Sequence, residues 1–277
     1  MPAIKGKIIV TDSVAIWIEQ SKNRQLEVEF RKLVLQKAFE VTNIQFSDSI
    51  KNSNYSEIAF EAFNLSSEEL FRSANQKAMK LSEKLHDTFN IGDKHWNYAA
   101  FYSKKEVMDS AYYHYHKAYE QFKLVKHDYY TAKMLYNMAF IQGRLKDYTG
   151  SEVSIFEAIT KFEKLKKYDN LYNCYNYLGL IYYNLEEFER AIYYYNKALE
   201  YLKKVEDKSN YKEWNLSNIG LVYQKQKRYD KAIGNFKEAL GHNNLKKQDI
   251  NFYARLIDNI AYTKFLSGDS TTVKQEL

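Results

Sequence analysis

Apolar residues in this chain recur at helical spacing over most of its length. The clearest stretch is Tyr175-Asn176-Tyr177-Leu178-Gly179-Leu180-Ile181-Tyr182, followed by Phe188, Ala191, Ile192, Tyr195, Ala198 and Leu199. This pattern predicts one helix, a tight turn and a second helix, with small residues where the two must touch. It returns as Asn218-Ile219-Gly220-Leu221-Val222-Tyr223, followed by Tyr229, Ala232, Ile233, Phe236, Ala239 and Leu240. Gly179 and Gly220 are 41 residues apart. Self-similarity at a fixed period of this size predicts stacked helix pairs.

A small residue marks the second helix of each pair: Ala38, Ala78, Ala118, Ala158, Ala198 and Ala239. Six units follow from this series, the first two degenerate in wording. A first helix is expected over 12–21 and a second over about 26–44, with Phe30, Leu33, Val34, Ala38 and Val41 on one face. The second unit is expected over about 52–85, and its Ser66-Ser67-Glu68-Glu69 reads as a capping box closed by Ser66 and Glu69. The third unit carries Trp96, Tyr98, Ala99, Tyr102, Ala111, Tyr115 and Ala118; the fourth carries Met138, Ala139, Tyr148, Ser151, Ile155 and Ala158. In both, alanine takes the place of the glycine. A last helix over about 248–266, with Leu256, Ile257, Ile260, Ala261 and Phe265, reads as the first helix of a seventh unit, broken at Ser267-Gly268.

The expected fold is therefore all-α: a right-handed superhelical solenoid of antiparallel helix pairs, about six pairs plus a final helix. It is expected to be continuous, with an unstructured N-terminus over 1–11, degenerate pairs over 12–86, a regular array over 87–266 and a tail over 267–277.

Leu178, Gly179, Tyr182, Ala191, Tyr195 and Ala198, and again Ile219, Gly220, Tyr223, Ala232, Phe236 and Ala239, resemble the tetratricopeptide repeat. Two departures stand out. The spacing is 40 or 41 residues instead of the usual 34, so each helix should be longer, and the proline that ends the usual unit is absent. Lys94-His95-Trp96-Asn97-Tyr98 and the run from Ala132 to Arg144 are similar to the tetratricopeptide sensor segments of Bacteroidetes histidine kinases and related regulators. That resemblance implies a sensing or docking module and no kinase activity.

Composition supports the helical reading. The 277 residues include one proline, Pro2, and only 9 glycines, so little interrupts a helix. The net charge of +6 is mild over this length and does not form the clustered stripe that nucleic acid requires. No nucleic-acid partner is expected. Neither a secretory leader nor a run of about 20 apolar residues is visible. Read as written, the chain is expected in the cytoplasm, or in the periplasm if a natural N-terminus precedes Met1. The lone Cys174 excludes an internal disulfide and is expected to be packed.

Catalytic patterns are missing. His86, His95, His114, His116, His127 and His242 form no metal-binding spacing, since His114 and His116 point apart on a helix. There is no Gly-rich phosphate loop and no nucleophile elbow. The expectation is no enzyme, no cofactor and no metal.

The tetratricopeptide resemblance implies that the first helix of each unit lines a concave groove. Counted from the Leu-Gly positions, that groove would hold Trp96 and Lys104 from the third unit, and Lys133, Tyr136, Asn137, Phe140 and Arg144 from the fourth. The fifth offers Asn176 and Tyr183, the sixth Trp214, Asn218 and Lys225, and the last helix Arg255 and Asn259. Amides in a row can clamp a peptide backbone, because each has two donors and an acceptor. An aromatic groove with a basic edge suits a protein or peptide with apolar anchors and acidic residues. The expected function is a non-catalytic protein- or peptide-binding scaffold, the sensing or docking segment of a signalling system. The alternative is a peptide-responsive intracellular transcription or phosphatase regulator with long repeat units. The apolar last helix leaves a homodimer open.

Overall fold

The structure, a computed structural model, describes residues 13–205, 211–241 and 245–268. The expected unstructured stretch 1–11, His242 and the tail beyond Gly268 lie outside these residues. Every regular element described is a helix. After α1 (residues 13–22) come α2 (Val28–Asn43), α3 (Asp48–Asn64), α4 (Glu68–Lys84), α5 (Thr88–Lys104), α6 (Met108–Leu124) and α7 (Asp128–Arg144). They continue as α8 (Tyr148–Lys164), α9 (Tyr168–Asn184), α10 (Phe188–Leu202), α11 (Tyr211–Lys225), α12 (Tyr229–Leu240), the single turn α13 (Leu245–Gln248) and α14 (Ile250–Leu266).

From Asp48 to Phe188 a helix opens every 20 residues, and those from α3 to α9 are all 17 residues long. The long period is thus spent on longer helices, as expected. The degenerate second unit folds with the same geometry as the later ones.

The links are built alike. Ser66, His86, Glu106, Lys126, Lys146, Lys166, Glu186 and Lys227 all adopt positive φ, between 53° and 64°. After Ser66, His86, Glu106, Lys126, Lys166, Glu186 and Lys227 the amide of the next residue reaches back to a carbonyl of the last helical turn: Asp87 N donates to Ser82 O (2.9 Å), His127 to Phe122 O (2.9 Å), Glu187 to Tyr182 O (2.9 Å). This is the left-handed helix cap that glycine usually makes. The capping box expected at Ser66 is therefore not formed. Ser66 is the left-handed residue ending α3, and the N-cap of α4 is Ser67, whose side chain makes no cap bond. Helix α3 runs on to Asn64, so residue 66 must reverse the chain and cannot also cap the next helix.

The residues fall into two compact units, Met1–Leu145 and Lys146–Leu277. In the first, α3 pairs with α4 and α5 with α6, while α4 packs on α5 and α6 on α7. In the second, α9 pairs with α10 and α11 with α12, and α14 lies against α12. Small residues sit at the contacts: Ala38, Ala59, Ala78, Ala99, Ala118, Ala158, Ala198 and Ala239 are fully buried. Aromatic and branched residues fill the remaining space. Leu35, Ile58 and Phe71 centre one core in the first unit; Phe122, Met134 and Ile141 centre another. Phe236, Leu245 and Leu256 belong to the core of the second unit. Cys174 is buried in α9, where burial pushes its thiol up and keeps it unreactive.

Candidate functional site

One register position on the first helices is apolar yet open. In the first unit it holds Phe60 on α3, Ala100 on α5 and Phe140 on α7; in the second it holds Leu180 on α9 and Leu221 on α11. Phe60 is 55% exposed and Phe140 37%, whereas Ala59 and Ala139, one residue earlier, are fully buried. The first helices therefore turn one apolar stripe to their partners and leave Phe60, Phe140 and Leu180 of a second stripe exposed, while Ala100 and Leu221 of that stripe are half-buried and Leu221 packs on the core of its unit. Exposed aromatic groups bring area and little flexibility to a contact.

In the first unit, Trp96 is half-buried with its ring 5.7 Å from Tyr130, and the Lys133 ammonium stands 4.7 Å over it. Tyr136 and Asn137 are half-buried on the same helix as Phe140. Arg144 is paired with Glu106 at 3.0 Å, so its charge is partly neutralised. Lys104 points elsewhere: its ammonium donates to Ser66 Oγ (3.1 Å) and lies 5.0 Å over the Phe63 ring.

Beside Phe60 is a depression of about 400 Å³, lined also by Lys22, Ser56, Glu57, Glu61, Asp93 and Asn97. Lys22 pairs with Glu57 at 3.1 Å. The basic edge expected from Lys104, Lys133 and Arg144 is thus accompanied by carboxylates on α3 and α5. Asn97 donates to Asn75 on α4 (3.1 Å), which itself donates to the Lys94 carbonyl (3.1 Å).

In the second unit, Trp214 is 49% exposed and its ring lies 5.6 Å from Phe252, over which the Arg255 guanidinium sits at 5.1 Å. Lys225 is exposed and Tyr183 half-buried. In the asparagine row, the Asn176 and Asn218 side chains are engaged within the protein. Asn176 Oδ1 accepts from both Asn215 and Asn218 at 3.3 Å, which ties α9 to α11. The backbone carbonyl of Asn259 accepts from Thr263, whose hydroxyl oxygen accepts from Gln224 at 2.7 Å. An incoming peptide would have to compete with these amide contacts.

Sequence reasoning overlooked two features. Phe60 was hidden by the weak wording of its unit, although it stands 40 residues before Ala100. His95 and His114, on the paired helices α5 and α6, face each other with Nδ1 atoms 3.0 Å apart, and the Tyr102 ring stacks on His114 at 5.5 Å. One imidazole must donate and the other accept, so the two cannot both be protonated. Burial and the neighbouring His114 pull His95 down to about 4. Among the described residues no three His, Cys, Asp or Glu gather to hold a metal ion, and no helix is long and apolar enough to cross a membrane.

Residues 168–242, which span α9 to α12, match the family model of the tetratricopeptide repeat. The helix pairs there are tetratricopeptide repeats. No curated protein sequence matches the chain. Among solved structures, it is similar to the signal transduction ATPase PH0952 from Pyrococcus horikoshii, a protein with a tetratricopeptide repeat sensor (TM-score 0.73, 19% identity, 93% of this chain and 39% of that one). It is also similar to the apo form of RapI (TM-score 0.72, 17% identity, 96% of this chain and 74% of that one). A third likeness is to NprR in complex with its cognate peptide NprX (TM-score 0.62, 16% identity, 96% and 75%). At these identities the likeness establishes the fold: an all-helical array of tetratricopeptide-type pairs.

Proposed function

We propose that this chain is a non-catalytic scaffold that binds a protein or peptide through the open faces of its first helices. One observation carries the reading. The same register position stays apolar on successive first helices and is exposed at Phe60 and Phe140 in one unit and at Leu180 in the other. A fold that buries the neighbouring position completely has no packing reason to leave this one apolar. Trp96, Lys133, Tyr136, Asn137 and Arg144 flank it in the first unit; Asn176, Tyr183, Trp214, Asn218, Lys225, Arg255 and Asn259 flank it in the second. Such a face suits a peptide with apolar anchors and both signs of charge.

The reading extends to a sensing or docking role in signalling. The likeness to PH0952, which has a repeat sensor, supports this. A second reading, a peptide-responsive regulator, is favoured by the likeness to NprR bound to its peptide over 96% of this chain. Selection of a displayed random-peptide library on the immobilised chain tests both. Peptides that bind the chain and are lost by Trp214→Ser or Lys225→Glu support the proposal. A library that yields no binder, or binders indifferent to every open-face change, contradicts it.

A further inference from the structure

A second concavity lies in the first unit, between the α3–α4 link and the last turn of α5. It encloses about 210 Å³ and is lined by Ala62, Phe63, Ser66, Glu68, Phe71, Phe101, Lys104 and Lys105. Its floor is aromatic: Phe71 and Phe101 stack at 4.8 Å, and Phe63 lies 5.9 Å from Phe71. Phe71 and Phe101 are almost wholly buried, with the Arg72 guanidinium 4.6 Å over the Phe101 ring, so they hold the floor in place while half-buried Phe63 offers its accessible aromatic surface. A cavity of about 150 Å³ already accommodates benzene. The space here admits one bulky side chain and little more.

The rim is charged unequally. Glu68 receives Arg72 at 3.1 Å and Lys105 at 2.6 Å, and these two cations hold its carboxyl below the usual range. Its negative charge is spent. Lys104 reaches across the mouth to the Ser66 hydroxyl and the Phe63 ring, and among the described residues no carboxylate pairs with it. The mouth therefore combines an apolar floor with an excess of positive charge and a lysine whose hydroxyl partner an anion can replace.

We propose that this pocket is an anchor site for a partner peptide, taking one bulky apolar side chain against Phe63, above the buried Phe71–Phe101 pair, while an adjacent carboxylate pairs with Lys104. The inference rests on the reading of the chain as a peptide-binding scaffold and adds the chemistry of one anchor. Apolar contact supplies the attraction, and the ammonium selects an acidic neighbour over a basic one.

The test uses the full chain with ¹³C-labelled alanine methyl groups. The probe is the blocked peptide Gly-Ser-Phe-Asp-Ser-Gly, compared with the same peptide carrying Ala for Phe or Lys for Asp. Ala62 reports on the pocket and Ala100 on the open face. The Phe-Asp peptide is expected to shift Ala62 saturably, with both altered peptides about fivefold weaker or more. Lys104→Gln, on the exposed rim, is expected to remove the preference for Asp over Lys. No saturable shift at Ala62, or an equal response to all three peptides, overturns the proposal. A library-selected peptide separates the two readings. If it shifts Ala100 and leaves Ala62 unmoved, the anchor site falls and the scaffold reading stands; if the library yields no binder, the scaffold reading itself falls.

Discussion

The ring of Tyr195 lies directly against Gly179, so that a Cβ at position 179 would meet ring carbons at 2.5 Å. Phe236 and Gly220 repeat the relationship one unit later, again at 2.5 Å. These glycines are the contact points of α9 with α10 and of α11 with α12. Alanine is preferred to glycine in a helix by about 1 kcal/mol, but overpacking a filled core costs about 1–3 kcal/mol. The contact decides the sign. Gly179→Ala and Gly220→Ala are each expected to lower stability by about 1–2 kcal/mol. Gly234, in α12 with nothing within 4 Å of its would-be Cβ, supplies the contrast. Gly234→Ala is expected to raise stability by about 0.5–1 kcal/mol. Urea unfolding of the three variants checks both signs.

The links offer a second opportunity. Lys126 and Lys166 hold left-handed backbone, which costs a residue with a Cβ about 1 kcal/mol. Glycine removes that strain and adds some freedom to the unfolded chain. Lys126→Gly and Lys166→Gly should each raise stability by about 0.5 kcal/mol, and Lys126→Val should lower it. Thermal melting of each variant provides the measurement.

The His95–His114 contact predicts a pH dependence. His95 titrates near 4 in the folded chain against 6.5 when unperturbed, and burial also lowers His114. The unfolded chain then binds protons that the folded chain refuses. Stability from this pair is complete above about pH 6.5 and declines as the pH falls toward 4. The melting temperature should drop across that window, and His95→Gln should flatten the drop.

Lys94 is fully buried, and its ammonium pairs with Asp93 at 2.6 Å. Asp93→Asn leaves that charge without its carboxylate and should cost about 2 kcal/mol, less than a wholly buried pair because Asp93 is partly exposed. Lys94→Met removes the charge itself and should cost less. Comparison of the two unfolding curves distinguishes the charge from the packing.

Much of the fold can be read from the sequence because one repeat fixes it. Ala118 and Gly179 are small for a steric reason that recurs every 40 residues, and no proline interrupts the helices. The turn at Ser66 could not be read, because Ser-x-x-Glu spacing fits a capping box equally well until the end of α3 is known. For the site, residue positions were readable and their engagement was not. Asn176 and Asn218 do lie on neighbouring first helices, yet they bond one another across 42 residues of sequence, which only the geometry reveals. Lys104 likewise turns toward Ser66 because α5 ends beside the α3–α4 link, a proximity with no local signal.

The most direct test compares the two sides of the helix pairs with one library-selected peptide. Phe140→Ser and Trp214→Ser alter the open faces of α7 and α11; Tyr113→Ser and Tyr193→Ser alter exposed positions on the second helices α6 and α10. Titration should show binding weakened about tenfold by at least one change of the first pair and unaltered by the second. Binding that survives Phe140→Ser and Trp214→Ser but fails with Tyr113→Ser or Tyr193→Ser would contradict the account and place recognition on the second helices.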